Sequence, residues 1–509
     1  MSAIITSKYR IFASEQFLNS FSDASKNTYL FAAKPSVWSN EISPDTALDD
    51  TAQENEAFLE MLGAKKILSS DVSKIIPRTD WTTGIVYTEY SDVVDLFNLS
   101  VGTPSFFVVN SSFNVYKCLF NNSGVASTVE PSGTSTNIIT TSDGYKWKFM
   151  YQVSPTDVLK FVTDDYIPVK YLLSNDGSTQ WSVQTAAIDG AIDVIKVTAP
   201  GTGFTSVPTV TITGDGSGAT ATATVSSGGV VGISVTARGT GYHYATVTIT
   251  GGGGAGATAR AIIGPKGGHG SNPLKELGGY FVMIYGSFQD SESSQITVLN
   301  DYRIIGLLNK PYTFGTSTLA TGLFYDMMTQ LKLSSVTGGS YNPDEIVTGQ
   351  TSAAIGTVVD YNSGTGLLRL TKVTGTFLAG ETVQNAAVSV FGSVSTQNGT
   401  AQAGSSTTVT LSSGASATDD IYNGFRVRIT SGTGSGQTRI ISDYNGTTKI
   451  ATVSVAWTTN PTSSSVYSVA SITDAGLAPY SGDITYKENR RSINRSSGQN
   501  EKIQIVVEF

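Results

Sequence analysis

Two histidines, His243 and His269, are the side chains of this sequence best suited to general base catalysis near neutral pH. His243 stands between two tyrosines in a strand-like stretch, and His269 stands in a glycine-rich turn. Neither histidine is close to a recognisable nucleophile motif. The sequence therefore supports no catalytic role for either residue, and we expect no enzymatic activity.

Adjacent carboxylates are a second source of catalysis, because glycoside hydrolases use two of them. The sequence has such pairs at Asp49-Asp50, Asp164-Asp165 and Asp419-Asp420. Neighbouring residues on a strand point to opposite faces of the sheet, so these pairs are more typical of turns and helix caps. A polysaccharide depolymerase is therefore the least favoured hypothesis for this chain.

The sequence predicts neither a metal site nor a cofactor. A zinc site requires clustered Cys and His ligands, whereas Cys118 is the single cysteine and both histidines are distant from it in the sequence. The stretch GPKGGHGS lacks the Gly-Lys-Ser/Thr ending of a phosphate-binding loop. Asp215, in GDGSGA, is a lone carboxylate and supplies too few oxygen ligands for calcium.

The composition is that of a folded, weakly charged chain. Of its 509 residues, 39% are apolar and 14% are charged, and the net charge is -8. This balance disfavours nucleic acid as a partner, because phosphate binding requires clustered Lys and Arg. The sequence lacks an apolar run long enough to span a bilayer, so we expect no membrane insertion. No charged and then apolar leader follows Met1, so we expect the protein to mature in the cytoplasm.

Short runs rich in Val, Ile, Thr and Tyr predict a mostly β protein of sandwich-like or barrel-like sheets with a few short helices. One helix is indicated by the capping-box arrangement of Thr51 and Glu54 and by an apolar stripe that stops at Gly63. Asn445-Gly446 is the strongest hairpin signal in the chain, because both residues tolerate positive φ.

An internal repeat occupies residues 187–263. Two similar stretches follow each other with a period of 37 to 38 residues. They are IKVTAPGTGFTSVPTVTITGDGSGATATATV from Ile195 and ISVTARGTGYHYATVTITGGGGAGATARAII from Ile233. Each copy contains strand-like stretches joined by glycine turns. We expect the two copies to pack face to face.

Composition divides the chain into varied, aromatic-rich segments and the glycine-rich β regions that interrupt them. We predict a discontinuous core formed by residues 1–184, 264–340 and 471–509, with the tandem repeat of residues 187–263 inserted into it. Residues 341–404 and 405–470 are predicted to be two further inserted β modules. Such inserts leave from loops, where added chain length costs little free energy.

The C-terminal end of the sequence is strand-like, from Ile503 to Phe509. We predict that this strand closes an open sheet edge by pairing with a strand of residues 1–184 or 264–340. The polar stretch before it contains several arginines, which can bind a phosphate or the carboxylates of a partner. The alternative is a solvated polar segment.

Four short motifs occur in the segments of the predicted core. They are IIPRTDW from Ile75, SDGYKWKFMYQVSP from Ser142, NDYRIIGLLNKP from Asn300, and ITYKENRRSI from Ile484 together with the final EKIQIVVEF. In this order they resemble the dimeric baseplate wedge subunit family of T-even-type contractile-tailed bacteriophages. The inserted regions resemble β modules that recur in tail and baseplate proteins of marine and cyanobacterial phages.

The resemblance implies a structural virion protein without enzymatic activity. Members of the family form a homodimer within each wedge and contact other wedge subunits and the base of the peripheral fibres. The implied location is the tail baseplate of the virion, after assembly in the host cytoplasm. The sequence departs from the family at Arg491 and Ser492, where prolines commonly follow Glu-Asn-Arg, and this changes the expected loop geometry.

The motifs supply candidate residues for subunit interfaces: Arg78, Asp80, Trp81, Glu488, Arg490, Arg491 and Arg495. Desolvated charge pairs fix the register between subunits more than they add affinity. Arg78 and Asp80 can pair locally or with a partner, and Trp81 is either an interface anchor or ordinary core. Arg490 is the first choice for an interface arginine, with Glu488 as its local partner.

Binding of host-surface glycans through the inserted regions is the alternative function. Four aromatic residues are candidate stacking platforms for sugars if they are exposed: Tyr242, Tyr244, Tyr422 and Trp457. A structural subunit predicts stable association with other tail proteins. An adhesin predicts binding to the host envelope that is lost when residues 187–263 or 341–470 are deleted.

Overall fold

The computed structural model describes residues 4–23, 25–289, 300–385, 390–496 and 498–509. Its helices are α1 (Ser7–Ser20), α2 (Thr51–Leu59), α3 (Pro155–Phe161), α4 (Thr179–Thr185) and α5 (Pro273–Leu277), with a 3-10 turn at Ser69–Asp71. Strands predominate, so the prediction of a mostly β fold with a few short helices is confirmed. Within the described ranges, every helix is too short or too polar to cross a bilayer.

The strands follow one another along the chain in two halves. The first half contains β1 (Thr28–Ala33), β2 (Met61–Lys66), β3 (Val72–Pro77), β4 (Phe107–Val109), β5 (Asn114–Phe120), β6 (Ile139–Thr140), β7 (Lys146–Gln152), β8 (Tyr166–Pro168), β9 (Ile192–Thr202), β10 (Thr209–Gly214), β11 (Ser217–Ser226), β12 (Gly229–Thr240), β13 (Ala245–Thr250), β14 (Ala255–Ile263), β15 (Phe281–Phe288) and β16 (Asn300–Asn309). The second half contains β17 (Phe324–Asp326), β18 (Thr329–Thr337), β19 (Ile346–Gly349), β20 (Ile355–Asn362), β21 (Leu367–Thr374), β22 (Thr382–Asn385), β23 (Val390–Val394), β24 (Thr396–Thr400), β25 (Ala403–Gly404), β26 (Thr408–Thr410), β27 (Phe425–Ser431), β28 (Thr438–Asn445), β29 (Ile450–Val453), β30 (Val466–Thr473), β31 (Asp483–Arg495) and β32 (Glu501–Glu508).

Helix α2 forms where the sequence predicts it, but its cap differs from the prediction. Asp50, and not Thr51, is the N-cap, and its side chain accepts the backbone N–H of Gln53 at 2.9 Å. Glu54 does not complete a capping box, since its carboxylate accepts the N–H of Ile484 at 3.2 Å. The helix also ends earlier than predicted, because the chain is extended in β2 from Met61 onward.

The chain folds into two compact units. Unit 1 contains Met1–Ser20, Ser69–Tyr285 and Gln504–Phe509, and unit 2 contains Phe21–Leu68 and Gly286–Ile503. Segments of the predicted discontinuous core occur in both units. The division of the chain into one core and inserted modules stays a prediction.

Unit 1 is built around two open antiparallel sheets. One has the strand order β4-β5-β7-β6, and the other has β3 between β8 and β15. The C-terminal strand β32 lies beside β15 in the second sheet. The prediction that the last strand pairs with a strand of residues 1–184 or 264–340 is confirmed, and the partner is β15 of the second range. This pairing accounts for the apolar residues of the strand, such as Ile505, which is buried.

The tandem repeat of unit 1 forms one sheet with the order β13-β10-β11-β12-β9-β14. Its end strands β13 and β14 lie against each other, so the sheet closes, and we call it the repeat barrel. The expectation that the copies pack face to face is wrong. Equivalent strands of the two copies pair with each other instead, β9 with β12 and β10 with β13, because this removes the open edges of a three-stranded unit.

Glycines of the repeat barrel provide space for one aromatic ring from each copy. A Cβ at Gly216 would lie 2.5 Å from Cγ of Tyr242, and a Cβ at Gly254 would lie 2.5 Å from Cγ of Phe204. Phe204 and Tyr242 occupy equivalent positions of the two copies, and each packs on the glycine turn of the other copy. The glycine-rich turns are therefore part of the packing of this barrel.

Unit 2 combines an open sheet with two closed ones. The open sheet has the order β17-β2-β1-β16-β31. The second barrel runs β21-β20-β19-β22-β23-β18 and closes through β18 and β21. The third barrel runs β30-β27-β28-β29-β26-β25 and closes because β24, which leads into β25, pairs with β30. Each barrel has its own hydrophobic core, centred on residues such as Val358 and Leu370 in the second and Ile429 and Tyr467 in the third.

The predicted hairpin at Asn445-Gly446 is confirmed, since β28 and β29 pair across it. Its loop spans residues 446–449, however, and the positive φ of 59° falls at Lys449. The Asn445 side-chain oxygen accepts the backbone N–H of Thr448 at 2.9 Å. An Asn side chain that bonds the backbone ahead of it stabilises a wider loop than a two-residue turn, so positive φ is not required at Asn445 or Gly446.

Candidate interaction surfaces

The motif that contains Arg78 and Trp81 is held by contacts within unit 1. The Arg78 Nε donates to Asp80 Oδ1 at 3.0 Å, and its Nη1 donates to the carbonyl oxygen of Thr163 at 2.8 Å. Trp81 is half-buried, and its indole N–H donates to Ser127 Oγ at 3.1 Å. Of these residues, Asp80 is the most exposed and the most accessible to another subunit.

Exposed charges of the C-terminal motif lie on β31, at the edge of the open sheet of unit 2. Arg490 and Arg491 are both exposed. The Arg490 guanidinium lies 3.5 Å from the Glu488 carboxylate, the local partner that the sequence suggests. The Arg491 Nε donates to the carbonyl oxygen of Ile42 at 2.6 Å. Glu488, Arg490 and Arg491 therefore form a charged surface, which we call the β31 patch.

Arg495 is not part of this surface, although it was a candidate. Its side chain is buried, and its Nε lies 2.9 Å from the Glu501 carboxylate, which is buried as well. The residue lies at the end of β31, where its partner comes from the start of β32. The buried ion pair with Glu501 makes Arg495 a structural residue of unit 2.

Side chains that cross between β31 and residues 38–45 cover much of the outer edge of this strand. The Trp38 indole N–H donates to the carbonyl oxygen of Arg490 at 2.8 Å, and the Asn489 side-chain amide donates to the carbonyl oxygen of Asp45 at 2.9 Å. A covered edge does not readily add a strand from another chain. Contacts through the β31 patch would therefore be made by side chains.

Three of the four candidate sugar platforms are buried, which corrects the expectation that they are exposed. Tyr242, Tyr422 and Trp457 are 3%, 9% and 5% exposed. Tyr242 packs on the glycine turn described above, and the face of Trp457 is covered by the Arg439 guanidinium, 5.4 Å from the ring centroid. Only Tyr244 of this group, at 64% exposure, presents its ring to solvent.

Tyr244 and His243 are held by a carboxylate from the other copy of the repeat. Asp215 Oδ1 accepts the backbone N–H groups of His243 at 2.9 Å and of Tyr244 at 3.2 Å, and Asp215 Oδ2 lies 2.9 Å from His243 Nδ1. The backbone hydrogen bond from His243 lowers the pKa of Asp215 to about 2. Asp215 thus remains ionised and fixes the turn that displays Tyr244.

The other histidine, His269, belongs to a buried polar cluster of unit 1. The Lys117 ammonium lies 3.0 Å from Glu276 Oε2 and 3.1 Å from His269 Nδ1, and it stands 4.2 Å from the ring centroid of Tyr90. Burial lowers the pKa of His269 well below its usual value, and burial likewise lowers the pKa of Lys117. His269 is therefore neutral in the folded protein, and the cluster ties β5 to α5 and to the turn before it.

Members of the three adjacent aspartate pairs accept backbone hydrogen bonds that stabilise the fold. Asp50 caps α2, and Asp419 Oδ1 accepts the N–H of Gly446 at 2.6 Å. The carbonyl oxygen of Asp165 accepts the N–H of Arg78 at 2.7 Å. Among the described residues, no three His, Cys, Asp or Glu side chains are grouped so as to hold a metal ion.

The repeat barrel is joined to the rest of unit 1 by a small apolar cluster and two surface ion pairs, which we call the repeat-barrel joint. Leu119 of β5 packs with Val194 and Ile262 of the barrel. Around this contact, the Lys196 ammonium lies 2.5 Å from Glu89, and the Arg260 guanidinium lies 2.6 Å from Asp92. Both ion pairs are partly exposed.

The second barrel is joined to the open sheet of unit 2 by a buried lysine, and we call this contact the Lys34 joint. The Lys34 ammonium lies 2.7 Å from Asn300 Oδ1, 2.8 Å from Asp301 Oδ1 and 3.1 Å from Asp344 Oδ1. The Asn300 amide also donates to the carbonyl oxygen of Val359 at 2.8 Å. Lys34 follows β1, whereas Asp344 and Val359 belong to the second-barrel segment.

The sequence motifs described above do not include Lys34 or Lys117. A lysine within or next to a strand normally faces solvent, and its carboxylate partners are far away in the sequence. The only local signal is that each lysine follows apolar or aromatic neighbours, in LFAAK and NVYK. That pattern indicates a strand buried on both faces, in which a lysine must find a partner.

Part of the chain is similar to a known protein. No protein-family model matches the sequence. The chain is similar to "Baseplate wedge protein gp8" of Enterobacteria phage T4, with 25% identity over 207 residues. The alignment covers 33% of this chain and 61% of that protein, so the chain spans less than two thirds of the relative's length.

Proposed function

We propose that this protein is a structural subunit of the baseplate wedge of a contractile phage tail, linking wedge components and supporting peripheral fibres. The observation that carries the proposal is the similarity to the wedge protein of phage T4. The mostly β fold with closed barrels supports it. Closely packed interiors have low compressibility and transmit strain, which suits a subunit that bears load.

In this proposal the protein is a homodimer in the tail baseplate of the virion, assembled in the host cytoplasm. Its other partners are wedge subunits and peripheral fibre proteins, without nucleic acid, a cofactor or an enzymatic step. An obligate dimer of this kind buries upward of about 2,000 Å². The β31 patch is the surface we assign to subunit contacts, because Glu488, Arg490 and Arg491 remain accessible.

The mass of the purified protein in solution tests the dimer. One chain has a mass of 53.5 kDa, and we expect a species of twice that mass. R490E should weaken the dimer about tenfold, since charges at an interface rim act mainly on association. R428E, which reverses an exposed arginine of β27, is the matched control and should leave the dimer intact.

The position of the chain in a density map of the intact virion tests the baseplate assignment directly. We expect density for the three barrels in the baseplate. Density elsewhere in the particle would reject the proposal, and a monomeric mass at all concentrations would reject the homodimer alone.

Glycan binding is a second candidate function, favoured by one observation. Tyr244 is exposed beside His243, on a turn fixed by Asp215, and an exposed ring next to polar groups is suited to stacking against a sugar. Y244A should then reduce binding to host-envelope polysaccharide, whereas V231A, at another exposed site of the same barrel, should not. Equal binding by Y244A and the unchanged protein would reject this function for the repeat barrel.

A further inference from the structure

A cavity of about 630 Å³ lies in unit 1, between helix α1, the 3-10 turn, helix α3 and residues 168–173. Its size falls within the range of sites that bind small molecules or side chains of a partner. The lining is largely apolar and includes Leu18, Val72, Val153, Phe161, Val169 and Leu274. We call it the α1 groove.

One charged side chain lines this groove from a buried position. Lys74 of β3 is 6% exposed, and burial lowers its pKa. Its ammonium donates to the carbonyl oxygen of Ile11 at 3.2 Å. In the part of the chain that the structure describes, the closest carboxylate is that of Glu15, 3.9 Å away on a side chain that is 56% exposed. An ammonium has three donors, so Lys74 retains capacity for a closer anionic partner.

The other lysines of the groove differ from Lys74. The Lys160 ammonium is engaged, at 2.8 Å from Asp71 Oδ1 and 3.1 Å from the carbonyl oxygen of Ser70. Lys170 is half exposed and lies 3.9 Å from Asp157. Because water screens an exposed charge and does not reach a buried one, the charge at Lys74 has the strongest local influence on a bound group.

The exposed rim of the groove combines apolar side chains with polar ones such as Glu15, Gln152 and Lys170. Leu173 lines it and is 89% exposed. Helix α1, which forms one wall, also presents Tyr9 and Phe12 to solvent, although neither of them lines the groove. Exposed apolar side chains around a concave site are typical of a contact with another protein chain.

We propose that the α1 groove binds an apolar segment of a neighbouring protein chain, and that a carboxylate of this segment pairs with Lys74. The inference rests on the proposed function, since it names the chemistry of a partner in the baseplate. Apolar walls remove the partner's side chains from water, and the buried ammonium selects a carboxylate over an amide or an ammonium. The occupant is therefore an acidic, apolar peptide segment.

Matched small molecules test the chemistry of the groove on the full-length protein. In ligand-observed NMR, 4-phenylbutyrate should bind at least about tenfold more tightly than 4-phenylbutanamide. K74M should abolish this preference, because it keeps the apolar stem and removes the charge. K275M, on an exposed lysine of α5 outside the groove, should leave it unchanged. The nearest described carboxylate, that of Glu15, is 56% exposed, so K74M does not leave a buried charge unpaired there, and circular dichroism would verify the fold.

Two results overturn the inference in this assay. One is the absence of phenylbutyrate binding at about 10 mM, since a fragment of the right chemistry should bind in the millimolar range. The other is a preference for the carboxylate that persists in K74M.

Assembly with the other baseplate proteins of the same phage separates this inference from the proposed function. Unchanged protein should enter baseplates, and K74M should enter at most about one tenth as efficiently. If K74M and unchanged protein enter equally, the groove inference fails and the proposed function stands. If the unchanged protein does not associate with baseplate proteins, the proposed function itself fails, while the small-molecule result still decides whether the groove has the stated chemistry.

Discussion

The repeat barrel and the second barrel are attached to their units by different physical means. At the repeat-barrel joint, Leu119 packs with apolar residues of the barrel, and the ion pairs around it are partly exposed. At the Lys34 joint, a buried ammonium is held by Asn300, Asp301 and Asp344. One joint depends on removing apolar surface from water, and the other depends on satisfying a buried charge.

The two joints should therefore differ in how much stability a single substitution costs. An apolar contact loses free energy in proportion to the surface exposed, and exposed ion pairs add little to it. A buried ammonium is the common partner of the groups around it, so its removal takes that partner from Asn300 and Asp344 and leaves Asp301 with the Arg303 guanidinium as a charged partner. The Lys34 joint should therefore be the more sensitive to a single substitution.

K34M is expected to have the largest effect. It leaves Asp301 and Asp344 without the ammonium, so we expect unit 2 to lose about 3–5 kcal/mol of its free energy of unfolding. Urea denaturation followed by circular dichroism measures this loss. K332M, on an exposed lysine of β18, should change the free energy of unfolding by less than about 0.5 kcal/mol. If K34M lost as little free energy of unfolding as K332M, the buried ammonium would not hold the joint.

L119A tests the apolar joint and should have the next largest effect. Leu119 is buried, and removal of its side chain leaves a cavity between β5 and the barrel, so we expect a loss of about 2–4 kcal/mol in unit 1. Protection of the barrel amides from hydrogen exchange should fall in parallel. V231A, at an exposed site of the same barrel, serves as the control. Unchanged protection in L119A would contradict an apolar origin of this joint.

Asp326, at the end of β17, makes the stability of unit 2 depend on pH. Burial raises its pKa to about 7 from an ordinary value of 3.8. Gln330 and Met328 donate to its carboxyl oxygens at 2.6 and 2.8 Å, and Arg369 and Asp360 are the charged groups that act on it. In the folded state the group keeps its proton to higher pH, so its contribution to stability is full below pH 3.8 and is lost as pH rises through about 7.

D326N removes this titration. From mildly acidic pH to about pH 8, unit 2 of the unchanged protein should lose about 1–3 kcal/mol of its free energy of unfolding through this group, and D326N should not. The stability of the variant relative to the unchanged protein therefore rises by that amount. Urea denaturation at the two pH values measures the gain. The same difference between the two proteins at both pH values would contradict the raised pKa.

K196M should have the smallest effect. The Lys196–Glu89 pair is partly exposed, so its loss should cost about 0.2–1 kcal/mol at low ionic strength. In about 1 M salt, where the screening length is near 3 Å, the cost should disappear. Denaturation of unit 1 at the two ionic strengths checks both values. A loss comparable to that of K34M would erase the distinction between the two joints.

Much of the fold could be predicted from local sequence. The β class follows from β-branched and aromatic residues between glycine turns, and the hairpin at Asn445 follows from turn chemistry. The candidate site was predicted less well. A local pattern does not specify which face of a strand is covered, so it predicts exposed rings at Trp457 and Tyr242 and a surface position for Arg495, whereas all three side chains are buried.

The sequence by itself determined the mostly β class, the tandem repeat and the strand-like C-terminal end, because each depends on residues that are close together in the chain. The tertiary structure decided how the two copies of the repeat share one barrel, where Lys34, Lys74 and Lys117 are buried, and which aromatic rings reach solvent. These features depend on partners tens to hundreds of residues away, as with Lys34 and Asp301. Whether a side chain is buried, and which charge compensates it, depends on residues that the fold brings together. A local sequence pattern does not specify these residues.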